Sequence, residues 1–153
     1  MNQQQFALDP KKTLLNLRII WSAMLIGQLV FTMVVWFLNQ SKQAVPFENI
    51  KSMYVIAVGF AMLSVMTGSF VRMQFYKKNW QNDCVTPRGY MTGHIISLAC
   101  IEMACFFSLV VVMLHQTIST TMVLPVVLLI VFVLNFPNGK PMEPALPDFN
   151  RQL

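Results

Sequence analysis

Glu102 is the residue of this chain best placed to do chemistry. Of six acidic residues it alone falls inside a long apolar run, near the midpoint and too far from either end to reach water by extending its side chain. Ionised and unpaired at such a depth, a carboxylate costs on the order of 3 kcal/mol or more, so it has to be protonated, paired or beside water. An intramembrane carboxyl of this kind marks a proton or ion pathway, and the structural alternative is a hydrogen bond between helices. No lysine, arginine or histidine lies at the same depth in any other apolar run. Gln28 does, near the middle of the first run, and its amide can accept from a protonated carboxyl or donate to an ionised one. Ser64 and Thr67 offer hydroxyls in the second run, unless each bonds back to its own helix.

The remaining reactive residues carry less. Cys100 and Cys105 flank Glu102, and Cys84 stands in a polar link; three cysteines without paired spacing read as buried small residues, not as a metal site or a disulfide framework. His94 and His115 sit at opposite ends of one helix, about 30 Å apart by helical rise, and cannot share a metal. Glycine-rich phosphate loops, nucleophile elbows and zinc-protease helices are missing, so no enzyme activity and no cofactor are expected. The twelve methionines spread over all the apolar runs as flexible packing. Asn39-Gln40-Ser41 matches a glycosylation acceptor but abuts an apolar run.

The elements that must position Glu102 follow from composition. With 56% hydrophobic and only 11% charged residues in 153, a soluble enzyme, a disordered chain and a secreted disulfide scaffold are all excluded. The chain reads as an all-α integral membrane protein with four transmembrane helices, at about residues 19–38, 52–71, 93–114 and 119–136. Residues 1–18 form a cytoplasmic segment and helix start, and residues 137–153 an extended cytoplasmic tail. The first run is too long for a signal peptide and has no small-residue cleavage site, so it is expected to stay as a membrane helix. Asp9-Pro10 and Thr86-Pro87 each place a cap before a proline at the first helical position, and Pro125 is expected to kink the fourth span.

Orientation comes from the basic residues. Nine lysines and arginines fall in the N-terminal segment, the second link and the tail, against Lys42 and Lys51 in the first link, which puts both termini in the cytoplasm and arranges the spans as two antiparallel hairpins. Arg72, Lys77 and Lys78 then meet lipid head groups, and the net charge of +5 needs no nucleic acid to explain it. Trp21 and Trp36 mark opposite interfaces as aromatic anchors. Ala57, Ala61, Ser64 and Gly68 on the second span, and Gly93 and Ser97 on the third, are small residues that let helices approach closely.

The stretch from Ser97 to Leu114, Ser-Leu-Ala-Cys-Ile-Glu-Met-Ala-Cys-Phe-Phe-Ser-Leu-Val-Val-Val-Met-Leu, resembles the carboxylate-bearing helix of ATP synthase proteolipids, the c subunits. The chain as a whole looks like a group of uncharacterised four-helix bacterial membrane proteins whose first helix opens with an Arg-Ile-Ile-Trp pattern, here Arg18 to Trp21. The proteolipid likeness implies an oligomeric ring in which Glu102 binds a proton, with Gln28 in the place where sodium-type rings use a glutamine. Met103 stands where that family completes a sodium site with serine or threonine, so a proton is the expected ion. The glycine-rich inner helix of the family has no counterpart here: the first span contains only Gly27 and the second only Gly59 and Gly68. A shift of 74 residues sets Gln28 against Glu102, as a tandem duplication would.

The leading expectation is a proteolipid-like membrane subunit of a bacterial inner membrane that forms homo-oligomers and uses Glu102 to bind a proton. The competing expectation is a structural or accessory subunit of a larger membrane complex, in which Glu102 only hydrogen-bonds a neighbour. A small multidrug-type transporter also has four helices and one membrane glutamate, but carries it on the first helix, where this chain has Gln28.

Overall fold

The computed structural model describes residues 9–40, 51–81, 83–115 and 121–143. Lys42, Pro46, Ser41 of the glycosylation match, Asn82, most of the polar link after His115 and the tail beyond Glu143 lie outside the described residues. Among the described residues the chain is helical apart from one small hairpin: α1 (Pro10–Asn39), α2 (Lys51–Lys78), β1 (Trp80–Gln81), β2 (Cys84–Val85), α3 (Pro87–His115), α4 (Val123–Leu134) and a 3-10 turn at Lys140–Met142.

Local sequence explains where these elements start and stop. Asp9 caps α1 by accepting the amide of Lys11 at 3.0 Å, and Pro10 opens the helix where no amide bond is lost. The chain leaves α2 at Asn79 and turns through a two-stranded antiparallel ladder, Trp80 opposite Val85 and Gln81 opposite Cys84, in which Asp83 takes the left-handed conformation at φ 60°. Aspartate tolerates that region better than most side chains. Thr86 then caps α3, its hydroxyl accepting the amide of Gly89 at 3.3 Å ahead of Pro87 at the first position.

The helices α1, α2 and α3, with 30, 28 and 29 residues, are each long and apolar enough to cross a membrane. The fourth differs from its expected 119–136 span. Val123–Leu134 is 12 residues, about 18 Å, short of a hydrocarbon core of about 30 Å. Pro125 also needs no kink: it is the third residue of α4, in the first turn, where its missing amide would have had no partner within the helix.

Packing is organised around α3. Leu17 of α1 shares a buried cluster with Tyr90, Phe31 meets Phe106 edge-on at 5.2 Å, and the Asn39 amide donates to the Val112 carbonyl at 3.2 Å. These contacts progress together, so α1 and α3 run side by side in the same direction. The helix α2 runs the opposite way along α3, with Tyr76 on Tyr90, Gly68 on Ser97 and Cys100, and Phe60 on Phe107. Between them a core forms from Val35, Ala61, Ala104, Cys105, Leu109, Val112, Met122 and Leu128. The outer faces stay apolar, with Met33, Phe37, Leu63, Met66 and Phe70 all more than 60% exposed, as a lipid-facing surface requires.

The region after α4 is not simply extended. Gly139, at φ 80°, turns the chain against Leu14, and Met142 is buried in one cluster with Leu17, Val85 and Tyr90. A methionine near the start of an apparent polar tail is therefore a packing residue, which the surrounding prolines and charges conceal.

Candidate functional site

Glu102 sits at the middle of α3, half-buried, with no hydrogen bond or ion pair among the described residues. Phe106 is one turn further along the same face, and Phe31 is one turn beyond Gln28 on α1. The contacts that align α1 with α3 are offset by 73 to 75 residues, and Gln28 and Glu102 are 74 apart, so they share a level on adjacent parallel helices. The two side chains are not hydrogen-bonded to each other. Gln28 is fully buried, and neither its amide nitrogen nor its amide oxygen has a partner among the described residues. Its backbone carbonyl accepts the Thr32 hydroxyl at 2.7 Å. A primary amide left unbonded in an apolar core costs about 1–3 kcal/mol, so a fold that keeps one invites explanation by something other than the stability of this chain alone.

The small residues divide between the two helices that touch. Ala57, Ala61 and Gly68 are buried on α2, with Ser64 half-buried between them; Gly93 and Ser97 are buried on α3. A Cβ added to Gly68 would stand 3.0 Å from Cys100 Cβ and 3.2 Å from the Ser97 carbonyl oxygen. One added to Gly93 would meet Phe75, Tyr76 and the Arg72 carbonyl at 3.1–3.3 Å. Both approaches depend on glycine. Thr67 lies on the exposed side of α2, whereas Cys105 is in the core and Cys100 and Cys84 are half-buried free thiols.

A second polar cluster, at the end where α1 and α3 begin and α2 and α4 finish, was not legible as a unit in the sequence. Arg72 donates from Nη1 to Asn135 Oδ1 at 2.7 Å, so it ties α2 to α4 as well as standing at the end of an apolar run. His94 is buried, with Nε2 2.9 Å from the Asn135 carbonyl oxygen; a carbonyl only accepts, so Nε2 carries the proton. In the neutral ring Nδ1 then accepts from the Tyr76 hydroxyl, 3.4 Å away. Tyr90 stacks between Tyr76 and His94, with centroids 5.6 and 5.4 Å distant, and its hydroxyl oxygen accepts the Gly139 amide at 3.1 Å. Trp21 is less a free interface anchor than a packing residue: it lies 6.0 Å from Phe132 and 5.0 Å from Phe136, and donates to the Phe132 carbonyl at 3.3 Å. Trp36 is half exposed. The sequence signal that could have found this cluster is Asn135, a lone amide closing an otherwise apolar helix just before Pro137.

Among the described residues no three His, Cys, Asp or Glu side chains converge on a point where a metal could bind. Lys77 and Lys78 are exposed in the last turn of α2. Comparison of the chain with protein-family models, curated proteins and solved structures finds no match. The fold and these two sites define the class: an all-helical protein with three helices able to embed in a membrane.

Proposed function

We propose that this protein is a small integral membrane subunit that assembles into homo-oligomers and uses Glu102 as a proton-binding carboxyl within the bilayer. The observation that carries the reading is the position of Glu102: mid-way along the central helix, half-exposed, unpaired among the described residues and level with the unbonded amide of Gln28. A carboxyl so placed is far cheaper to keep protonated than ionised, and a neighbouring copy or a transient ionised state gives both it and Gln28 a partner. The likeness of residues 97–114 to the proteolipid helix supports the same role. No catalytic chemistry is part of this proposal.

Eight of the nine described lysines and arginines, all but Lys51, belong to the end where α1 begins and α2 finishes, which supports an arrangement of antiparallel spans with both termini in the cytoplasm. A bacterial inner membrane is the proposed setting, resting on the likeness to four-helix bacterial membrane proteins. The apolar α4 is proposed to complete the membrane domain as a fourth, partly inserted helix.

The test is carbodiimide labelling of the detergent-extracted complex, combined with its native mass. Glu102→Gln is expected to leave a high-mass homo-oligomer intact and to abolish the labelling. Loss of the oligomer in that variant would make the carboxyl a structural hydrogen-bonding group instead. A second reading, an accessory subunit of a larger complex, is favoured by α1, which keeps most of its apolar surface outside the bundle. It requires a defined set of unrelated chains to co-purify with the untagged protein.

A further inference from the structure

The polar cluster around Asn135 encloses a cavity of about 280 Å³ lined by Arg72, Tyr76, Tyr90, His94, Asn135 and Asn138, with Leu134, Phe136 and Pro141 completing the wall. Its chemistry is one-sided. Arg72 spends one N–H on Asn135 and retains the rest of its guanidinium fork. The Tyr90 hydroxyl oxygen accepts from Gly139, which leaves its own proton to donate. Asn138 Oδ1 accepts the Lys140 amide at 3.1 Å, leaving the side-chain amide N–H groups to donate. Both nitrogens of His94 are engaged, so the imidazole shapes the wall without competing for a ligand. Among the described residues no carboxylate lines the cavity, and Arg18 lies close by, its guanidinium 5.3 Å from the Phe136 ring centroid while Nε donates to the Pro137 carbonyl at 3.3 Å.

We propose that this cavity binds a phosphate-bearing anion, held by the Arg72 guanidinium with Tyr90 and Asn138 as further donors. A planar fork beside neutral donors, free of acids, matches a phosphate better than a cation or an apolar ligand. The rim favours a lipid as the source. Leu134 and Phe136, 77% and 44% exposed, carry apolar surface from the cavity to the outside of the bundle, where acyl chains would lie, and the cavity is at the end of the helices that gathers the basic residues. The site is independent of Glu102, which lies about two helical turns from His94 along α3.

The experiment titrates two probes into the full-length protein in neutral detergent: short-chain phosphatidylglycerol and inorganic phosphate, each read by the shift in melting temperature. A saturable rise with phosphatidylglycerol, absent with inorganic phosphate at equal concentration, is expected; an equal rise with inorganic phosphate that competes with the lipid would keep the site and make free phosphate its occupant. Arg72→Gln should weaken the response about tenfold, in line with loss of a charge-assisted contact. A Lys11→Gln/Lys12→Gln double variant should stay within about twofold, because those lysines, exposed at the same end of the bundle, contribute only a general surface potential. Arg72 also holds Asn135, so the unaltered protein supplies a second readout: phenylglyoxal modification mapped by peptide, with phosphatidylglycerol protecting Arg72 but not exposed Arg88. The proposal is overturned if neither probe gives a saturable shift, if the lysine variant loses as much as Arg72→Gln, or if Arg72 and Arg88 react alike with and without lipid.

Discussion

His94 and Asn135 join two helices: the imidazole Nε2–H, about two turns into the third helix, donates at 2.9 Å to the carbonyl of Asn135, the residue that caps the end of the fourth, and the same asparagine takes Arg72 of the second helix on its side chain. A helix of only 12 residues is thereby fastened at its polar end to two longer ones. The unsatisfied carbonyls at a helix C-terminus need donors, and in an apolar setting water is a poor source of them.

Asn135→Ala should therefore destabilise the protein by about 1–3 kcal/mol, the usual consequence of leaving a buried or half-buried donor such as Arg72 without its acceptor. Unfolding in detergent, followed by circular dichroism, measures it. A melting curve matching the unaltered protein would mean that this end of α4 is not held by the contact.

Two glycines on one helix should answer differently to the same change. A side chain on Gly68 enters the space of Ser97 and Cys100, so Gly68→Leu should cost about 1–3 kcal/mol by overpacking. Gly59 has nothing within 4 Å of where its Cβ would be, and Gly59→Leu should stay within about 0.5 kcal/mol. Equal losses would show that helix propensity or lipid contact, not the α2–α3 approach, governs both.

Gln28→Met should leave the isolated chain as stable as before, or more stable by about 1 kcal/mol, because both polar atoms of the amide are buried without partners. Its effect is expected instead on Glu102, as a changed rate of carbodiimide labelling in the assembled protein. Marked destabilisation together with unchanged labelling would separate Gln28 from the carboxyl and make it a structural residue.

Orientation can be read from single cysteines in a background with Cys84→Ser, Cys100→Ala and Cys105→Ala, which removes all three native thiols. Lys78→Cys should react with an impermeant maleimide only in inverted vesicles, and Lys51→Cys only in right-side-out ones. The opposite pattern would place the basic end outside.

Much of the local structure is legible in the chain because it depends on neighbouring residues alone. Asp9-Pro10 and Thr86-Pro87 start helices at Pro10 and Pro87, and the apolar runs of α1 to α3 are long enough to cross a membrane by length and composition. Pro125 shows the limit. Whether a proline bends a helix depends on how many residues precede it in that helix, and here only two do.

What the sequence by itself determined is the solvent: a chain this apolar, with a single acid inside its long runs, has to put its helices in lipid and has to leave Glu102 protonated, paired or beside water. Depth along a helix follows from residue counting, so the shared level of Gln28 and Glu102 could be anticipated from their places near the midpoints of the first and third runs. The tertiary structure decided what counting cannot reach. It set α1 parallel beside α3, left the Gln28 amide unbonded, and drew Arg72, His94, Tyr90 and Asn135 from three helices around one cavity. The rotation of a helix about its axis, and the choice of neighbour, depend on side chains from distant segments interlocking, and no local pattern of residues encodes that.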